Sequence, residues 1–133
     1  MSFAARLVPL LAAFAAPLGA LNVAPAHAAD YDYEVGSVLV CDTQAEVEQF
    51  VTLFAGDPRA AIVAVNEAEH NPTACGLLEV TYLRGSQMGT VRNNEAAFQV
   101  VHILVVAIDN GAGMQGVRPA AFYSAFSVRE YAV

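Results

Sequence analysis

Residues 100–120, VVHILVVAIDNGAGMQGVRPA, carry the strongest chemical signal in the chain. Gly111-Ala112-Gly113-Met114-Gln115-Gly116 spells G-x-G-x-x-G, the spacing with which a dinucleotide-binding turn brings backbone N–H groups to a pyrophosphate. That chemistry requires the glycines to open a helix, whose N-terminus then faces the phosphates. Here Pro119 follows the last glycine closely, and residues 120–128 alternate with the period of a strand. Asp109-Asn110-Gly111 is a turn signal in its own right. The motif therefore reads as a long, pliable loop between two antiparallel strands. No nucleotide cofactor is expected, and Gly111, Gly113, Met114, Gln115 and Gly116 are its candidate contact residues.

The run NEAEHNPTAC, residues 66–75, gathers Glu67, Glu69, His70 and Cys75. Carboxylate, imidazole and thiolate are metal-binding groups, and a cysteine beside a histidine is a nucleophile with its base. The spacing argues against both. Neither C-x-x-C nor H-x-x-x-H occurs, and two residues two apart, as Glu67 and Glu69 are, do not share a helix face. The chain has two cysteines, Cys41 and Cys75. In a small exported domain an even count reads as a disulfide, which leaves neither sulfur free as ligand or nucleophile.

His102 lies in the most apolar segment and reads as a core histidine. Serine catalysis finds no G-x-S-x-G, because GSQMG places Ser86 one residue early. Ser124 and Ser127 fall in a strand pattern without an evident partner. The acidic stretch Asp30, Asp32 and Glu34 reads as a solvated terminus. Tyr31, Tyr33, Tyr82, Tyr123 and Tyr131 could serve a recognition surface but read first as packing for a small sheet. No catalytic or metal-binding set is expected. The competing expectation is a small enzyme or metal protein using His70, Cys75 or His102.

The elements that must hold these residues follow from periodicity. Residues 29–35 read as a flexible lead-in and 36–41 as a short strand. Thr43 and Glu46 form a capping box, and Val47, Phe50, Val51 and Phe54 then mark one helix face. Asp57-Pro58 restarts a helix, with aspartate at the cap and proline at the first helical position. Asn71-Pro72 ends that second helical stretch, or the second half of one kinked helix. From Cys75 the period becomes two: GLLEVTYLRG, a turn at Gly85-Ser86-Gln87, a short strand MGTVR, a turn at Asn93-Asn94, the central strand AFQVVHILVVAI and the last strand AAFYSAFSV. Helices first and strands afterwards imply an α+β domain with a curled antiparallel sheet of four to five strands.

The first residues read separately. Arg6, an apolar run broken by Pro9 and Pro17, and the small-residue end Ala26-His27-Ala28 make a secretory signal peptide over 1–28. The domain would then occupy 36–133 of an exported, periplasmic or extracellular protein, with no membrane span after cleavage. Beyond Arg6, five arginines and no lysine face thirteen carboxylates, a formal charge of −8 against −7 for the whole chain. That excludes the electrostatic footprint of a nucleic-acid binder and favours cationic partners.

The element order resembles the cystatin-like fold, with an SH3-like half-barrel carrying a helical insertion as the alternative. The stretches VCDTQAEVEQFV, AVNEAEHNPTACG and PAAFYSAFSV are similar to small exported bacterial proteins with two cysteines and no assigned activity. That resemblance implies export and a shared small fold, and it carries no catalytic residues. The function expected is a non-catalytic binding or interaction module of the bacterial envelope, in one form an inhibitor of a cationic hydrolase. A purely structural envelope component is the third expectation.

Overall fold

Residues 31–128 are described by the computed structural model, so the expected signal peptide, Asp30 and Tyr131 lie outside the described residues. The chain order is β1 (Glu34–Cys41), α1 (Gln44–Leu53), α2 (Pro58–Ala68), β2 (Cys75–Arg92), β3 (Ala97–Asp109) and β4 (Met114–Val128). This is an α+β domain of two helices and four antiparallel strands.

Both helix starts form as their residues dictate. The Thr43 hydroxyl accepts from the Glu46 amide at 3.2 Å, while the Glu46 carboxylate accepts from the Thr43 amide at 2.8 Å. Asp57 caps α2 by accepting from the amides of Arg59 and Ala60. Gly56, at φ +92°, turns the chain between the two, so the helical region is a pair of helices.

The strands pair β1–β2, β2–β3 and β3–β4, and a single bridge, Cys41 to Tyr123, joins β1 back to β4 and closes a barrel. Side chains alternate along each strand, so two apolar clusters form on opposite faces. Leu39, Cys41, Phe98, Val100 and Tyr123 pack with Val47, Phe50, Val51, Ala61 and Val65 of the helices. Val38, Val40, Val80, Tyr82, Val101, Ile103 and Val105 form the second cluster, together with Phe122 and Phe126. No helix residue belongs to the second cluster, yet it draws on all four strands: that face is buried because the sheet closes on itself. Ser124 is its polar exception, fully buried with a hydroxyl that has no partner among the described residues.

Three expectations change. β1 begins at Glu34, inside the stretch read as a lead-in, and Glu34 pairs with Tyr82 across the ladder. The turn expected at Gly85-Ser86-Gln87 is absent, and β2 runs unbroken for 18 residues. Its ladder with β3 slips between Arg84 and Gln87 and again between Gln87 and Gly89, so these residues make bulges that bend the strand. Gly85 permits this, since a Cβ there would sit 2.9 Å from the carbonyl oxygen of His102. Two short strands thus become one, and the sheet has four strands.

The third change concerns residues 109–117. Met114 pairs with Asp109, Gln115 with Ile108 and Gly116 with Ala107, so these candidate contact residues belong to β4. Only a tight turn separates the strands. Asp109 accepts from the Gly111 amide at 2.7 Å and Asn110 from the Ala112 amide at 2.9 Å. Gly111 and Gly113 take φ values of +91° and +122°, which explains both glycines without a phosphate. Pro119 falls within a register shift between β3 and β4, where it need not donate to the ladder.

Candidate functional site

The residues singled out for chemistry are dispersed. Cys75 is bonded to Cys41, directly opposite it in the β1–β2 ladder, and both are buried. His70 is exposed at the end of α2. Its amide donates to Glu67 and the Asn71 amide to Asn66, the paired bonds of a Schellman stop, with His70 in the left-handed conformation at φ +52°. His70 therefore stands where a glycine normally ends a helix, a structural place. His102 lies in β3, half-buried and outside both apolar clusters rather than in the core as expected, with its ring 5.1 Å from that of Tyr123. Among the described residues, no three of His, Cys, Asp and Glu converge to hold a metal ion.

Two asparagines bring the loops into place. Asn66 on α2 donates to the carbonyls of Pro72 and Cys75, each at 3.0 Å, and accepts from the Cys75 amide at 2.8 Å. It thereby clamps the α2–β2 loop against the start of β2. Asn93, in the β2–β3 turn, donates to the carbonyls of Val51 and Phe54 at the end of α1, at 2.9 and 3.0 Å. It also accepts from the amides of Glu95 and Ala96. Its turn signal was legible in sequence, but its capping of a helix 39 residues away was not.

The loop held by Asn66 forms one end of a cleft of about 280 Å³ where β1, β2, β3 and β4 meet. Val40, Leu78, Val105, Ile108 and Phe122 make its apolar wall. Ile108 is on the same face as Val105 although three residues on, because the β2–β3 ladder slips between Thr81 and Tyr82, leaving Val106 as an extra residue on β3 that reverses the alternation. Asp42, Pro72, Thr73, Cys75 and Gly76 make the end that the loop forms.

The hydrogen-bonding character of that end is one-sided. The Asp42 amide donates to the Ala74 carbonyl at 3.0 Å. Thr73 donates both its amide and its hydroxyl to the Asn71 side-chain oxygen, each at 3.0 Å. The Cys75 amide is held by Asn66, and Pro72 has no N–H. The Asp42 carboxylate, by contrast, is exposed and accepts from no described residue, and the Thr73 oxygen retains lone pairs. Two residues with free acceptors thus line the cleft, and the neighbouring donors are engaged elsewhere.

A second polar cluster lies beyond the cleft, at the start of β1. Arg84 pairs with Glu34 at 2.5 Å and lies 3.7 Å above the centre of the Phe126 ring. Tyr82 stacks on the other side chain of that group, Phe126, at 6.1 Å. The Glu34 hydrogen bond holds the Arg84 guanidinium even more firmly protonated than usual, and burial pushes the Tyr82 phenol above its ordinary value. These contacts tie β1, β2 and β4 together. The groove beside His70 is larger, about 460 Å³, but its asparagines are committed to the clamp and to the Asn71 turn.

Fold and site together define a small disulfide-bonded α+β domain with an apolar cleft that Asp42 borders at one end. Comparisons of the chain with protein-family models, curated proteins and solved structures find no match.

Proposed function

We propose that this chain is an exported, non-catalytic binding module whose partner is cationic. The observation that carries the proposal is the cleft, in which Asp42 and Thr73 offer acceptors beside an apolar wall. The acidic balance of the chain, −7 overall, supports the sign of the partner by steering positive groups toward the surface. Export rests on the signal-peptide pattern of residues 1–28 and is supported by the Cys41–Cys75 disulfide, a bond that persists in oxidising compartments. None of the helices among the described residues is long and apolar enough to cross a membrane.

On architecture, the SH3-like reading with a helical insertion accounts for the domain better than a cystatin-like sheet wrapped round its helix, with the strands closing a barrel rather than half of one. The helix-free cluster drawn from all four strands supports this choice. The inhibition of a cationic hydrolase is one specific form of the function. A cysteine mechanism requires a free thiol, and here the sulfur of Cys75 is bonded to Cys41.

The test is association of the oxidised protein with a panel of basic and acidic exported proteins, measured at low and high ionic strength. Binding confined to basic partners and weakened by salt is the expected result. Salt-insensitive binding, or a preference for acidic partners, would overturn the proposal.

A further inference from the structure

The cleft's chemistry specifies its occupant more narrowly than a positive charge does, and this step rests on the reading of the domain as a binder of cations. We propose that the cleft binds a small primary amine carried on a short aromatic or aliphatic stem. Two independent features of the site converge on that class.

The first is the direction of its hydrogen bonds. At the polar end, the amides of Asp42, Thr73 and Cys75 and the Thr73 hydroxyl already donate to Ala74, Asn71 and Asn66. A carboxylate or phosphate ligand would bring acceptors to a place that offers it acceptors, with the Asp42 charge repelling it. An ammonium group brings three donors and no acceptor. It can donate to the Asp42 carboxylate and to the Thr73 oxygen, whose own proton points to Asn71. A neutral hydroxyl supplies a single donor and no charge of its own, so it forms one hydrogen bond to the carboxylate without the ion pair.

The second is the wall. Val40, Leu78, Val105, Ile108 and Phe122 provide an apolar surface in a space of about 280 Å³. That space lies near the lower limit of small-molecule pockets, which suits a ligand of roughly ten heavy atoms better than a folded surface. Strongly hydrated cations such as metal aquo ions gain nothing from such a wall, whereas a phenyl or butyl stem buries its surface there. The Cys41–Cys75 bridge and the Asn66 clamp hold the polar end in place before a ligand arrives, so little ordering is required on binding.

The test is calorimetric titration of the oxidised protein with 2-phenylethylamine, 2-phenylethanol and 3-phenylpropanoate, alongside a blocked lysine peptide and a basic protein. The amine is expected to bind at least about tenfold more tightly than the alcohol, the scale of one charge-assisted hydrogen bond. The carboxylate is expected not to bind. Asp42→Asn is expected to remove the preference for amine over alcohol, and Leu78→Ala to weaken the amine severalfold while keeping the preference. Both positions are exposed, and unchanged circular dichroism would establish that each variant folds. Equal affinity for amine and alcohol, or a preference unchanged in Asp42→Asn, would overturn the proposal. Salt-sensitive binding of the basic protein or peptide without binding of the amine would overturn the small-molecule occupant and leave the broader function standing. Loss of all cation binding would remove both.

Discussion

Cutting the Cys41–Cys75 bridge is the perturbation whose consequence can be worked furthest. The two cysteines are 34 residues apart in sequence, and the loop they close contains both helices. On the chain-entropy model, closing a loop of that length restricts the unfolded chain by about 3.8 kcal/mol at 25 °C. A domain of this size typically has only about 5–15 kcal/mol of net stability, so the bridge supplies a large share. Comparing oxidised with reduced wild-type protein avoids the cavity that a Cys41→Ala, Cys75→Ala pair would leave at two buried positions. With a urea dependence of about 1.5 kcal/mol per molar, the unfolding midpoint should fall by about 2.5 M on reduction. Circular dichroism across a urea series, with and without a phosphine reductant, reads this directly. A shift below about 0.5 M would refute the reasoning, because the bridge would then merely decorate a domain that its two clusters already hold.

Further outcomes follow from the local geometry. Asn93→Ala should destabilise the domain by about 2 kcal/mol in urea unfolding, since the carbonyls of Val51 and Phe54 lose their donor. Asn93→Asp, which keeps only the acceptor, should not restore it. His70→Gly should raise stability by about 0.5–1 kcal/mol, because glycine adopts the left-handed stop without the Cβ penalty; a loss would mean that the imidazole matters to the fold. Tyr82 has a folded-state pKa above its unfolded value of 10.0. Its contribution is therefore fully present below that value and is lost as pH rises through the folded pKa. Unfolding midpoints followed above pH 10 should fall in the wild type and fall less steeply in Tyr82→Phe.

How much of this was legible in the sequence depends on the range of the interaction concerned. The capping box at Thr43 and Glu46, the Asp57-Pro58 start and the turn at Asn93 were readable because each bond spans a few residues. The disulfide was readable because only two cysteines exist. Gly85-Ser86-Gln87 misled because glycine marks turns and bulges alike. The deciding fact, the close approach of His102's backbone, belongs to a different strand. The G-x-G-x-x-G stretch misled for a related reason. Two of its glycines serve a tight turn, and the rest of the motif continues as paired strand. The cleft was invisible. It depends on the Cys41–Tyr123 bridge and on the β2–β3 register shift that brings Ile108 to the face of Val105, and neither leaves a mark on local periodicity.

The most direct test of the account is a map of where a cation binds. Methyl and amide NMR spectra of the oxidised protein should be recorded during titration with 2-phenylethylamine. The account predicts that the largest shifts fall on Val40, Leu78, Val105 and Ile108 and on the Asp42 and Thr73 amides. Shifts centred instead on the groove around Val63 and His70, or on the turn at 110–113, would contradict it.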